Sequence, residues 1–235
     1  MLQVMALAML PVAGNFAGAV LAEMAPGSDR WRNRALHAAV GVVFAVVAVE
    51  IMPEALAVLE GWEIAGAFLL GGTAYLGVQW FTERRTTGTN RMWMIYLAVA
   101  TDLFGDGLLI GAGTSVTASL GLVLAVGQVL ADIPEGAASV LTFRANDIGR
   151  RNRLLLSASF AIPALIGAAM SYLTLRNQSD AAQTAALVAT AGLFSVAAFE
   201  DIIVEAHEAS DDTRASTVAL LVGFALFVLV SAGLG

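Results

Sequence analysis

Residues 216–235 read STVALLVGFALFVLVSAGLG and contain no charged side chain. A helix of that length rises about 30 Å, the thickness of a bilayer's hydrocarbon core. Seven further stretches, 1–24, 35–59, 62–81, 92–113, 117–143, 154–175 and 183–207, are similarly long and apolar. A backbone in hydrocarbon must satisfy its own hydrogen bonds, which leaves helices or a closed barrel, and these runs lack the ten-residue alternation of a barrel strand. The sequence therefore predicts an all-α membrane protein of eight transmembrane helices, one domain over residues 1–235. Its composition agrees, with 58% hydrophobic and 13% charged residues and a mean hydropathy of +0.79. No cysteine is present, which removes disulfides and thiolate metal sites.

The basic residues orient the spans. Arg30, Arg32, Arg34, Arg84, Arg85, Arg91, Arg144, Arg150, Arg151, Arg153 and Arg214 fall between spans 1 and 2, 3 and 4, 5 and 6, and 7 and 8, whereas Arg176 stands alone on the other side. The positive-inside rule makes the arginine-rich side cytoplasmic and puts both termini outside, in a plasma (inner) membrane. The first span is retained and not cleaved as a signal peptide, because no basic residue precedes Arg30. Trp31, Trp62, Trp80 and Trp93 fall at span ends, where aromatic rings anchor at the interface. The basic residues serve topology, and nothing here reads as a nucleic-acid surface.

Against this background the acids inside the spans stand out, since an intramembrane carboxylate costs at least a few kcal/mol. In span 5 Gln128, Asp132, Glu135 and Ser139 recur at helical spacing and form one polar stripe, interrupted by Pro134. Span 4 carries Asp102 and Asp106 at i and i+4, among Gly105, Gly107, Gly111 and Gly113. Asp102 is eleven residues from Arg91 and Asp132 twelve from Arg144, so both lie roughly 16–18 Å deep, near the midplane. A short loop at 114–116 would make the two spans antiparallel neighbours. Four carboxylates at one depth require a divalent cation or protons to compensate them, unless they are protonated structural groups in a wet bundle centre.

The segments DLFGDGLLIGAG (102–113) and DIPEGAAS (132–139) resemble the fourth- and fifth-span motifs of the ZIP (Zrt-/Irt-like) family of divalent metal transporters, the fourth being HNxPEGLAxGxG. EDIIVEAHE (200–208) is similar to the family's seventh-span segment, with Glu200, Asp201, Glu205 and His207 on matching positions and Val204 in place of a proline. In span 2, VEIMPEAL sets Glu50 and Glu54 at the spacing of Asp201 and Glu205, the echo expected of an inverted repeat. The resemblance implies an inverted-repeat transporter bundle of prokaryotic type. Metal would be held by Asp102, Asp106, Asp132 and Glu135, and Glu50, Glu54, Gln128, Glu200, Asp201, Glu205 and His207 would line its path.

The sequence also departs from the family. Asp102 stands at the ligand histidine, Leu103 at the asparagine, Gly105 at the proline and Asp106 at the glutamate, Ala131 replaces a fifth-span His or Gln, and the sixth span has no acid. An all-oxygen site suits Mn²⁺ or other hard ions better than zinc. Zinc remains the leading expectation from the resemblance, with Mn²⁺ or Fe²⁺ next, imported as cargo with no cofactor required. The competing readings are a proton-coupled transporter of another cation and an intramembrane metal-dependent enzyme; the latter lacks a positioned base and an oxyanion donor. The expected partners are metal ions and the lipid bilayer, and a homodimer is among the assemblies the sequence allows. His37, near the cytoplasmic end of span 2, reads as an interfacial polar group, and Pro11, Pro53 and Pro163 as kinks.

Overall fold

The computed structural model describes residues 1–24, 29–86, 91–210 and 213–234, and all regular structure among them is helical. In chain order the α-helices are α1 (Leu2–Met24), α2 (Asp29–Ala45), α3 (Met52–Val58), α4 (Gly61–Thr86), α5 (Arg91–Val116), α6 (Ala118–Ala145), α7 (Arg150–Ser159), α8 (Ala161–Leu175), α9 (Asp180–Ala197), α10 (Ile203–Ala209) and α11 (Arg214–Leu234). They build eight membrane-length apolar segments, in the order the sequence predicts. Arg30, Arg32 and Arg34 stand on the first turns of α2, not in a loop. Trp31, Trp62, Trp80 and Trp93 are exposed, as interfacial anchors must be.

The expected loop at 114–116 is helical. α5 runs through Val116 and only Thr117 separates it from α6, with Thr117 accepting a hydrogen bond from the Leu120 amide at 3.1 Å as the N-cap. Pro134 does not break α6, and Pro11 lies within an unbroken α1. Pro53 and Pro163 fall in the first turns of α3 and α8, where a missing N–H costs nothing, after interruptions at Val46–Ile51 and at Phe160.

Two of those eight segments contain a π-helical turn. α2 passes into a π-helical turn at Val46–Ile51 before α3, and α9 into another at Ala198–Ile202 before α10. The first carries Glu50 and the second Glu200 and Asp201, so each acidic echo in the sequence coincides with a widened turn. Such turns cluster at functional sites because the extra residue re-aims the side chains around it.

The closest helix pairs are α1 with α6, α5 with α8, α2 with α11 and α4 with α9. Exchanging span 1 with 6, 2 with 7, 3 with 8 and 4 with 5 carries this set of pairs into itself. That is the pairing an inverted repeat requires. Each pair meets through facing glycines: a Cβ on Gly18 would overlap the Ile133 carbonyl, and one on Gly71 the Ala189 carbonyl. Without a hydrophobic drive between helices in lipid, such close approach supplies much of the association energy. Gly71→Val is therefore expected to lower the melting temperature in detergent by several degrees, in line with an overpacking cost of about 1–3 kcal/mol. Gly77→Val, on the same helix with nothing within 4 Å of the new Cβ, serves as the control. Equal melting temperatures for the two variants would contradict the α4–α9 contact.

Candidate metal site between α5 and α6

The antiparallel packing of α5 on α6 turns the two acidic stripes toward each other. Carboxylate oxygens of Asp102, Asp106 and Asp132 all lie within 4.8 Å of one another. Asp106 is 0% exposed and Asp132 1%, whereas Asp102 is partly exposed. Gln128, one turn from Asp132, donates its side-chain amide to Asp106 Oδ1 and fixes that carboxylate. The other oxygens, Asp106 Oδ2 and Asp132 Oδ2, are buried with no hydrogen-bond donor.

Three carboxylates so close repel by roughly 3.5 kcal/mol per ionised pair at an effective dielectric near 20. Two orphaned acceptor oxygens in the same cluster are the arrangement a cation relieves, since it supplies both the missing charge and the missing electrophile. Oxygen ligands sit 2–2.6 Å from a divalent ion, so donors within 4.8 Å of each other can share one. Glu135 is buried on the same face of α6 but does not belong to the three-aspartate group. Ser139 turns its hydroxyl back to the Glu135 carbonyl at 2.9 Å.

The remaining acids lie elsewhere on the bundle. Glu50 accepts a hydrogen bond from the Ser231 hydroxyl of α11, Glu54 is half-buried, and Glu200 is exposed. The side chains of Asp201 and Glu205 lie outside the described residues. His207 is exposed and engages the Ile203 carbonyl through Nδ1 at 2.7 Å. His37 is buried, engages the Asn33 carbonyl through Nδ1 at 2.8 Å, and has its ring 6.2 Å from that of His207. A carbonyl can only accept, so each ring carries a proton on Nδ1. The packing of α10 on α2 buries His37 beside the second histidine.

Two polar clusters escaped the sequence reading. Asn33 donates to the Ala206 and Ser210 carbonyls, both at 3.0 Å, and accepts from the Ser216 hydroxyl at 2.6 Å, tying α2 to α10 and α11. Glu23, in the last turn of α1, is paired with Arg153, with Arg144 at 3.3 Å and with Arg150 at 3.7 Å. Those arginines read as topology signals, and they also hold α1 to α6 and α7. Long-range ion pairs of this kind leave no spacing signature in a single chain.

A sequence profile described as ZIP Zinc transporter matches residues 81–231, a stretch that contains α5 to α10 and most of α11. No curated protein matches the chain.

Proposed function

The chain belongs to the ZIP zinc transporter family, membrane proteins that move divalent metal ions, and we propose on that premise that it carries such ions inward past Asp102, Asp106 and Asp132. The observation that carries this reading is the convergence of the three carboxylates within 4.8 Å, two of them buried with an oxygen unpartnered. Glu135, buried on the same stripe of α6 toward the arginine-rich end, takes the ion next. Glu50 and Glu54 serve as the outer approach, Gln128 steadies Asp106, and Glu200, Asp201, Glu205 and His207 form the exit.

Zinc leads as cargo because of the family, followed by Mn²⁺ and Fe²⁺ because the three converging donors are all oxygen. The arginine distribution supports a plasma-membrane protein with both termini outside. Each chain holds a complete three-aspartate cluster, so a homodimer would carry two independent sites. The test is uptake into proteoliposomes that enclose a metal-sensitive dye, with Zn²⁺, Mn²⁺, Fe²⁺ and Mg²⁺ offered singly and then each of the others in the presence of Zn²⁺. Saturable entry of Zn²⁺, with Mn²⁺ or Fe²⁺ competing, is expected. Proton movement without metal entry for any of these ions would favour the proton-coupled alternative instead.

A further inference from the structure

Six buried side-chain atoms among the described residues lack a hydrogen-bond partner, and four of them belong to three residues: Asp106, Asp132 and Asn15. The first two belong to the three-aspartate cluster. Asn15 is on α1, is 0% exposed, and has both its amide nitrogen and its oxygen unpartnered. A buried amide left unsatisfied at both ends costs several kcal/mol in a medium that cannot hydrogen-bond, so its presence needs a reason.

Its position supplies one. The lipid-facing side of α1 is Met9, Ala13, Ala17, Leu21 and Met24, and Asn15 lies on the opposite side. Its neighbours there fix the direction: Val12 shares a buried cluster with Leu103 of α5, while Ala19 clusters with Ala137 and Val140 of α6. The backbone of Asn15 rests on Gly136, where a Cβ would come 2.8 Å from the Asn15 Cα. Gly136 follows Glu135 directly and is one turn, about 6 Å, beyond Asp132. Leu103 follows Asp102. Asn15 therefore occupies the interior of the α1, α5, α6 bundle, one turn from the aspartates on the arginine-rich side.

We propose that Asn15 is an ion-contacting residue, whose neutral amide oxygen receives the divalent cation together with the neighbouring Glu135 on its way from the three aspartates toward the cytoplasm. The inference rests on the aspartate cluster being the metal site. Amide oxygens are hard donors that suit Mn²⁺, Mg²⁺ and Ca²⁺ and bind without charge. A station with less negative charge lets an ion leave the carboxylates stepwise, and conduction needs binding weak enough for exit.

The test uses Asn15→Leu and Asn15→Asp beside Asp132→Asn, all as full chains. Asn15→Leu replaces an orphaned amide by an apolar group of similar size, so the melting temperature in EDTA should stay equal or rise. Mn²⁺ uptake should nevertheless fall about fivefold, and the stabilisation by added Mn²⁺ should shrink. Asn15→Asp keeps an oxygen and adds charge, and should lower the apparent KM for Mn²⁺ about threefold. Wild-type uptake in Asn15→Leu, or an unchanged KM in Asn15→Asp, overturns the assignment. Should Asp132→Asn also transport normally, the aspartate site itself is at fault and Asn15 falls with it.

Discussion

Asp132→Asn is expected to reduce metal uptake by about 100-fold while leaving the folded protein at least as stable in the absence of metal. The substitution keeps the shape of the side chain and removes its charge, from a cluster in which two of the three carboxylates are buried and all lie within 4.8 Å. In the proposed site, loss of one anionic ligand from so small a set would remove both Coulomb attraction and a donor. Even an outer-shell partner of a metal site is commonly worth 10–100-fold, so a direct ligand belongs at or above the top of that range. The stability half of the expectation has a separate origin. An asparagine amide at position 132 can donate where a carboxylate cannot, and Asp106 Oδ2 is an acceptor with no partner. Repulsion between neighbours also falls.

Dye-reported uptake and a melting curve in EDTA read the two halves independently. Near-normal transport in a variant with normal melting would remove Asp132 from the path. A collapse of both readouts would mean that the carboxylate is chiefly structural, a role that the unpartnered Asp132 Oδ2 argues against.

The parts of this architecture that were legible in the chain share a physical cause. Spans are legible because lipid imposes length and apolarity locally, residue by residue. Asp102, Asp106 and Asp132 were legible because helical spacing fixes a face and arginine-to-acid counting fixes a depth, two coordinates that suffice to pair antiparallel neighbours. What escaped depends on a third coordinate, the rotation of a helix about its axis relative to partners distant in sequence. Asn15 is invisible as a buried orphan until α1 is placed on Gly136. His37 is an ordinary helix-end histidine until α10 brings His207 beside it.

The π-helical turns at Val46–Ile51 and Ala198–Ile202 form an intermediate case. The sequence shows the acidic echo that marks their positions, but the α and π ladders differ by one residue in hydrogen-bond register, which side-chain pattern does not encode. The error at residues 114–116 has the same origin. Gly113, Thr114 and Gly121 allow α5 and α6 to pack so closely at the turn that a single capping threonine joins them.

Asp102→His should shift selectivity toward zinc by about tenfold relative to Mn²⁺, equivalent to about 1.4 kcal/mol. The residue is the most exposed of the three aspartates and stands where the resembled fourth-span motif has a histidine, so the larger ring is more easily received there than at Asp106 or Asp132. The change exchanges one hard anionic oxygen for a neutral nitrogen. Zinc accepts imidazole readily, whereas Mn²⁺ gains little from it and loses the charge. The two effects push the ratio the same way, although total Mn²⁺ affinity should also fall. Glu135→Ala makes the contrast, because it removes charge without offering a new donor type and should weaken both ions together. Competition uptake with both ions present measures the ratio directly. An unchanged ratio in Asp102→His, with both ions still transported, would show that the ion does not touch position 102. The carboxylates of α6 and Asp106 would then have to hold the metal without the third aspartate.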